Sequence, residues 1–315
     1  MDPLLDLLQD MHLTGGVFLD AEFTAPWSVT SSVGAEDCSA YLPRPSHVIA
    51  YHYVTEGRCV LEVDGHPATE VRAGDIVLLT KNDRHRLSSG QNVRTVSTSD
   101  LIEPAADGGL ARIVHGGGGE RTRMLCGFLG TKMPNPPIAT VLPPALTVTV
   151  NQGATGAWIE SSFRFASQEL VAGRSGSPLV LAKLAELLFI EAVRHHVASL
   201  PREHRGWLAG LRDPIVGRAL AMLHGQKAHR WTVPELARES GASRSAFAER
   251  FTSVMGEAPM RYLARQRLRV AAGRLREGQE SIANVALDVG YESEAAFSRA
   301  FKREFGKPPA AWRRV

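Results

Sequence analysis

The sequence predicts an α+β protein, with an antiparallel β-barrel at the front and an all-helical unit at the back. Three observations carry this expectation. Short alternating strands crowd residues 48–87, a fifty-residue echo runs through the last hundred residues, and charge divides unevenly between the two halves. The chain has 315 residues, 44% hydrophobic and 22% charged, enough for two domains that each bury a core.

The front pieces VIAYHYVTEG, RCVLEVDG, ATEVRAGD and IVLLTKND alternate apolar with polar side chains and break at Glu-Gly, Asp-Gly, Ala-Gly-Asp and Asn-Asp. Even spacing of short strands points to a barrel or a double-sheet sandwich. The strip from Gly116 to Glu120 is expected to be a flexible loop, because no GKS or GxGxxG context makes it a phosphate cradle. After Pro143-Pro144 helical periodicity is expected to take over, through WIESSFRFASQELVAG and PLVLAKLAELLFIEAVRHHVASL. In the second, Leu181, Leu184, Leu187, Leu188, Val193 and Val197 recur at threes and fours, and Leu179, Val180, Phe189 and Ile190 widen the stripe. That width suits either a core helix or a helix shared with a second subunit. PREHRGWLAGLRDP reads as a connector. The boundaries expected are therefore 1–140 for the barrel, 141–205 for a helical dimerisation segment and 213–315 for the last domain.

Hydropathy gives no uninterrupted apolar run long enough to span a membrane, since Lys183, Glu186 and Glu191 break the greasiest segment. The opening MDPLLDLLQD carries acids where a secretory leader would carry Lys or Arg, so a cytoplasmic protein is expected. Cys38, Cys59 and Cys126 are scattered without a CxxC pair, which signals neither a disulfide framework nor a zinc knuckle. From residue 213 onward there are 18 Lys and Arg against 11 Asp and Glu, whereas the first 212 residues hold 18 against 22. Such a split suggests an acidic or neutral module joined to one that seeks a polyanion.

The echo is sharp. Ser243, Ala246, Phe247, Phe251, Gly256, Pro259 and Tyr262 recur fifty positions later as Ser293, Ala296, Phe297, Phe301, Gly306, Pro309 and Trp312. Upstream, Ala237 and Gly241 match Ala286 and Gly290, the small residue and the tight turn that two abutting helices require. Ser243 and Ser293 then stand at N-caps, and the Phe pairs at i, i+4 face inward together. This is a helix-turn-helix pattern written twice. Two helical repeats also suit a protein-binding array, but arrays generally need three or more copies.

With the phenylalanines inward, the first unit offers a DNA groove Arg244, Ser245, Ala248 and Glu249, and the second Glu294, Ala295, Ser298 and Arg299. Arg250, Lys302 and Arg303 are expected further round, nearer phosphates. EAPMRYLARQRLRVAAGRLREG reads as one long basic helix spacing the two units over successive major grooves.

On Ala286, Asp288, Gly290, Tyr291, Ser293, Phe297, Arg299, Phe301, Phe305, Gly306, Pro308 and Arg313 the last hundred residues resemble the AraC/XylS family of transcription regulators. The resemblance implies sequence-specific binding of double-stranded DNA, activation or repression, and RNA polymerase as a further partner. In that family the second unit sometimes contributes mainly backbone contacts, and Glu294 stands here where a neutral or basic residue is often found.

The stretch GDIVLLTKNDRHRL resembles the second motif of the cupin barrel. Gly74 and His85 hold its spacing, while Thr80 and Asn82 replace Pro and Gly. Gly57 closes a strand like that of the first motif. Ala50 takes the place of the metal-binding Glu, and only His47 lies near the HxH pair. The front half is similar to the cupin-type effector domain of one branch of these regulators, which implies a small-molecule or redox effector and a homodimer. His52 lies on the face of Ala50 by strand alternation. With His85 and Cys126 it could line an effector pocket, hold a soft metal, or serve as a hydrogen-bonded core group. No catalytic residue is expected. The competing readings are a metal- or cysteine-based redox sensor, through Cys59 or Cys126, and a cupin metalloenzyme carrying a DNA-binding tail.

Overall fold

A computed structural model of the chain describes residues 4, 11, 13–34, 38, 45–90, 92–104, 110–132, 136, 141–149, 157–159, 161–162, 165, 177–201, 203–278 and 280–313. Two units result, one of residues 11–196 and one of residues 197–315 with 1–10. Most of WIESSFRFASQELVAG lies outside the described residues.

The first unit holds two sheets. Strands β1 (Thr14–Thr24), β3 (His47–Glu56), β6 (Asp75–Leu79), β9 (Ala111–Gly116), β10 (Arg121–Thr131) and β11 (Ala145–Thr149) form one, in the order β11-β6-β3-β10-β1-β9. Strands β2 (Ser28–Ser31), β4 (Arg58–Val63), β5 (Thr69–Arg72), β7 (His85–Ser88) and β8 (Val96–Ser97) form the other, in the order β5-β4-β7-β2-β8. The mixed β-then-helix class is the expected one, with two refinements. The sheets do not close into one barrel, and the edge pairs β1/β9 and β2/β8 are parallel.

Strand alternation sorts the side chains. Ala50 and Val54 of β3, Val77 and Leu79 of β6, and Met124 and Cys126 of β10 face Leu61, Val63 and Leu87 of the second sheet, all buried in one core with Phe23 stacked on Trp27 at 4.2 Å. The opposite face of the larger sheet carries Tyr51 and Gly127, paired across β3 and β10. Gly127 leaves room for the Tyr51 ring, whose hydroxyl donates to the Gly16 carbonyl at 3.2 Å. Helix α1 (Ser177–Ser199) meets this sheet at Gly15, where a Cβ would lie 2.9 Å from the Ala182 carbonyl and 3.0 Å from the Ala185 Cβ.

Three sequence expectations change here. Ala145–Thr149, just past Pro143-Pro144, is a strand on β6 rather than helix, because its apolar Leu146 and Val148 complete the sheet edge. The Gly116–Gly119 run is fixed rather than flexible: Gly117 N donates to the Thr24 carbonyl at 2.8 Å and Gly119 N to the Ala25 carbonyl at 2.8 Å, as the chain turns past the end of β1. A Cβ on Gly116 would stand 1.9 Å from the Thr24 carbonyl oxygen, which only glycine avoids. Third, Trp207–Arg212 is a helix, α2, and its Trp207, Ala209 and Leu211 pack on the helical core instead of forming a linker. The compact helical unit accordingly starts before residue 213.

The second unit continues with α3 (Pro214–Gly225), α4 (Val233–Glu239), α5 (Arg244–Met255), α6 (Pro259–Glu277), α7 (Ile282–Asp288), α8 (Glu294–Phe305) and α9 (Pro309–Trp312). Its caps follow the sequence. Ser243 Oγ accepts from Ala246 N at 3.3 Å and Ser293 Oγ from Ala296 N at 3.2 Å, while Gly256 and Gly306 close α5 and α8 in the left-handed region. Pro309 opens α9 at its first turn. Two separate cores form. Phe247, Phe251, Leu236 and Leu220 gather around Tyr262 and Leu263 of α6; Phe297, Phe301, Val285 and Ala286 gather around Leu268, Ala271 and Leu275 of the same helix.

Gly127→Ala should destabilise the first unit by about 1–3 kcal/mol, because the new methyl meets the Gly16 carbonyl and the Tyr51 hydroxyl and the sheet must shift. Urea unfolding followed by tryptophan fluorescence measures the loss.

Candidate DNA interface and sensor core

Helices α4 and α5, joined by a turn at Gly241, make the first helix-turn-helix; α7 and α8, joined at Gly290, make the second. Both turn glycines take positive φ, +76° and +89°. Within α5 the buried residues Phe247, Phe251 and Val254 fix the inward face. The helical period of 3.6 then directs Ser245, Glu249 and Thr252 outward along one stripe, with Arg244 and Ala248 on one flank and Ser253 on the other. Arg244, Ser245, Glu249, Thr252 and Ser253 are all exposed. In α8 the equivalent stripe is Ala295, Arg299 and Lys302, all exposed, with Glu294 and Ser298 on one flank and Arg303 on the other.

This geometry revises two assignments. Lys302, expected further round, lies three residues beyond Arg299 and on the same stripe. Arg250, expected at phosphate, has its Nε bound to Asp213 Oδ2 at 2.6 Å. The Asp213 carboxylate is buried and also caps α3 through Ile215 N and Val216 N. Arg250 therefore ties α5 to the start of α3 and presents only the remainder of its guanidinium outward. Thr252 and Ser253 are exposed on this face of α5 although the sequence did not single them out. Their positions, equivalent to Lys302 and Arg303 in the fifty-residue echo, carried the signal.

In the first unit, strand register brings together all three residues expected at the sensor core. Cys126 of β10 pairs with His52 of β3 on the inner face, and His85 reaches them from β7 of the facing sheet. His52 Nδ1 lies 3.0 Å from Cys126 Sγ, His52 Nε2 lies 2.7 Å from His85 Nε2, and His85 Nδ1 lies 3.0 Å from the Asp83 carbonyl. A carbonyl can only accept, so His85 Nδ1 carries a proton and its Nε2 is an acceptor when the ring is neutral. His52 then donates from Nε2, and its Nδ1 accepts the Cys126 S–H. Every proton has one place, with no charge in the chain.

The ionisation preferences agree. Burial holds His52 well below the ordinary histidine range, with the neighbouring His85 adding to the effect. Burial also lowers His85, against the opposing pull of the Asp83 carbonyl and charge. Burial raises the Cys126 thiol, with Asp20 and Cys59 contributing, and pushes Cys59 itself up to about 12. The two bonds leave opposite edges of the His52 ring, so the three donors form a line instead of converging on one point, as a metal would require. Among the described residues no group of three His, Cys, Asp or Glu side chains is arranged to hold a metal ion. The changed cupin positions have structural partners. His47 Nε2 meets the Thr80 carbonyl at 2.8 Å, Thr80 Oγ1 donates to the Pro143 carbonyl at 2.8 Å, and Asn82 takes the positive φ of 54° in place of glycine.

Known proteins match this arrangement along the whole chain. A cupin family profile matches residues 2–198 and a helix-turn-helix domain profile residues 236–315. An AraC-like transcription regulator of Streptomyces lividans is 33% identical over 319 residues, covering 100% of this chain and 98% of that protein. The chain belongs to the AraC-like transcription regulators. The HTH-type transcriptional regulator AlkR of Acinetobacter baylyi is 28% identical, covering 99% of each chain. A solved structure of the DNA-binding domain of AdpA in complex with a target DNA is 32% identical, covers 32% of this chain and 91% of that chain, and superposes with a TM-score of 0.31. Membership assigns the two units their places in the family: a cupin-like effector domain ahead of a helix-turn-helix DNA-binding domain. Among the described residues no helix is long and apolar enough to cross a membrane.

Since both buried rings are held neutral in the fold but titrate near the ordinary histidine value when unfolded, the unfolded chain binds the extra protons as pH falls. Stability is full above that value and is lost below it. Between about pH 7.5 and about pH 5.5 the loss should reach up to about 1.4 kcal/mol per ring. Thermal unfolding across that range measures it, and His52→Leu paired with Cys126→Val should remove one ring's share of the slope.

Proposed function

We propose that this AraC-like regulator reads a two-part DNA site, with Ser245, Glu249 and Thr252 of α5 in one major groove and Ala295, Arg299 and Lys302 of α8 in the next. Arg244, Ala248, Ser253, Glu294, Ser298 and Arg303 flank those stripes, and Arg250 adds at most its outer guanidinium edge. The observation that carries the reading is the duplicated unit itself: paired phenylalanines buried on one side of each recognition helix leave an exposed stripe on the other, polar in α5 and cationic at Arg299 and Lys302 in α8. Arg is suited to guanine O6 and N7, Glu to cytosine N4, and Ser or Thr to either base edges or phosphate. Helix α6, 19 residues long and so about 28 Å end to end, suits a spacer between grooves one helical turn of roughly 34 Å apart.

The sensing element of this reading is the Cys126–His52–His85 line. It is a polar thread in an apolar core, and an effector or oxidant that displaces or modifies one member leaves the others unsatisfied. A small-molecule effector is favoured over a bound metal because the donors do not converge. The chain acts as a cytoplasmic homodimer through α1, on which Leu179, Val180 and Leu187 stay exposed, and it contacts RNA polymerase when bound. It is a regulator and catalyses no reaction, in keeping with relatives that are transcription regulators.

Arg299→Ala should cost about 1–3 kcal/mol on the preferred duplex and relax the preference at one base pair, whereas Arg303→Ala should weaken all duplexes alike and reduce the salt slope by about one. Fluorescence anisotropy with the full chain, on matched and single-mismatch duplexes at two salt concentrations, separates the outcomes. Uniform loss from Arg299→Ala would move that residue to the phosphate backbone.

A further inference from the structure

Helix α6 is shared by two cores that do not merge, and one side chain sits at the seam. Arg267 lies between Leu263, the last α6 residue in the first core, and Leu268, the first in the second. Its guanidinium donates to three backbone carbonyls. Nε reaches Lys227 at 2.8 Å and Nη2 reaches His229 at 2.7 Å, both in the segment between α3 and α4 that leads into the first helix-turn-helix. Nη1 reaches Gly290 at 3.1 Å, in the turn of the second. Gly290 is tight against the same group, since a Cβ there would stand 2.8 Å from Arg267 Cζ and 2.9 Å from the Ala228 carbonyl. The exposed ion pair between Arg230 and Glu292, at 3.1 Å, crosses the same seam.

We propose that Arg267 is a positioning residue that fixes the second helix-turn-helix against the first, so that the chain accepts two-part DNA sites of one spacing only. The planar fork is what the job needs. Five N–H groups in one rigid plane can satisfy carbonyls from two directions at once, and an ammonium on a flexible stem cannot hold that geometry. Without the fork, α6 and the exposed Arg230–Glu292 pair are left to join the two helix-turn-helix halves. The carbonyls of the α3–α4 segment and of the turn at Gly290 would then take water, and the recognition helices would swing relative to each other.

The inference rests on the two-groove reading, and the experiment separates them. The full-length wild-type chain first selects duplexes from a random double-stranded library, and footprinting of the enriched duplex defines its two halves. Anisotropy then compares that duplex, versions with one base pair inserted or removed between the halves, and each half alone. Wild type should lose about tenfold or more on the respaced duplexes, since one base pair turns the far half by roughly a tenth of a helical turn. Arg267→Gln and Arg267→Lys should both shrink that penalty to about twofold while leaving affinity for each half alone unchanged. Circular dichroism melting confirms that at least one variant is folded, and Arg230→Ala gives a surface variant across the same seam that should shift the penalty in the same direction. An undiminished spacing penalty in the folded variants, or equal losses on the half duplexes, would overturn the role of Arg267 alone. Failure of wild type to enrich any duplex would overturn the two-groove reading and this inference together.

Discussion

The structure of the DNA-binding half depends on burying two pairs of aromatic rings, one turn apart on each recognition helix. Phe247 and Phe251 have ring centroids 5.7 Å apart, Phe297 and Phe301 5.4 Å, and none of the four is exposed to solvent. Fully burying a side chain of this size is worth roughly 1.5–3 kcal/mol, more than the cap or ion-pair terms around it. That term decides how each helix is rotated about its own axis. Once the rotation is set, the polar side chains have no freedom over which direction they face. The interface is thus a by-product of packing, which is why a hydrophobic repeat announces a nucleic-acid surface.

The same logic made this half legible in the sequence. Caps, turn glycines and i, i+4 pairs are all local, so Ser243, Gly241 and Phe247 could be assigned their places without knowing what lies beyond the next turn. What escaped was non-local. Arg267 looks like one more cation on a basic helix, because nothing within its own neighbourhood reveals that carbonyls forty residues upstream and twenty-three downstream meet at its guanidinium. Arg250 misleads for a related reason, its partner Asp213 standing 37 residues earlier. Trp207–Arg212 reads as a linker since its apolar residues find their core only after α3 and α5 have assembled.

In the front half alternation was enough to put His52 on the face of Ala50, and the spacing of Gly74 and His85 matched that of the cupin motif. Whether the two would meet depends on how one sheet lies over another, a relation that no period of two contains. The two parallel edge pairs were likewise invisible, and so was the reason for glycine at 116 and 119, where a Cβ would meet the carbonyls of Thr24 and Ala25 nearly a hundred positions away. The proton order along Cys126, His52 and His85 follows from a single carbonyl, that of Asp83, and could be written only once that oxygen had a position.

Helix α6 carries one further consequence. An uninterrupted helix transmits rotation as faithfully as distance, so adding or losing one residue anywhere between Leu263 and Leu268 would wind the downstream core about 100° around the shared axis and slide it about 1.5 Å. Insertions are tolerated where a loop can absorb them, and this segment has no loop. Its residue count therefore sets the angle between the two cores as directly as any side chain at their seam.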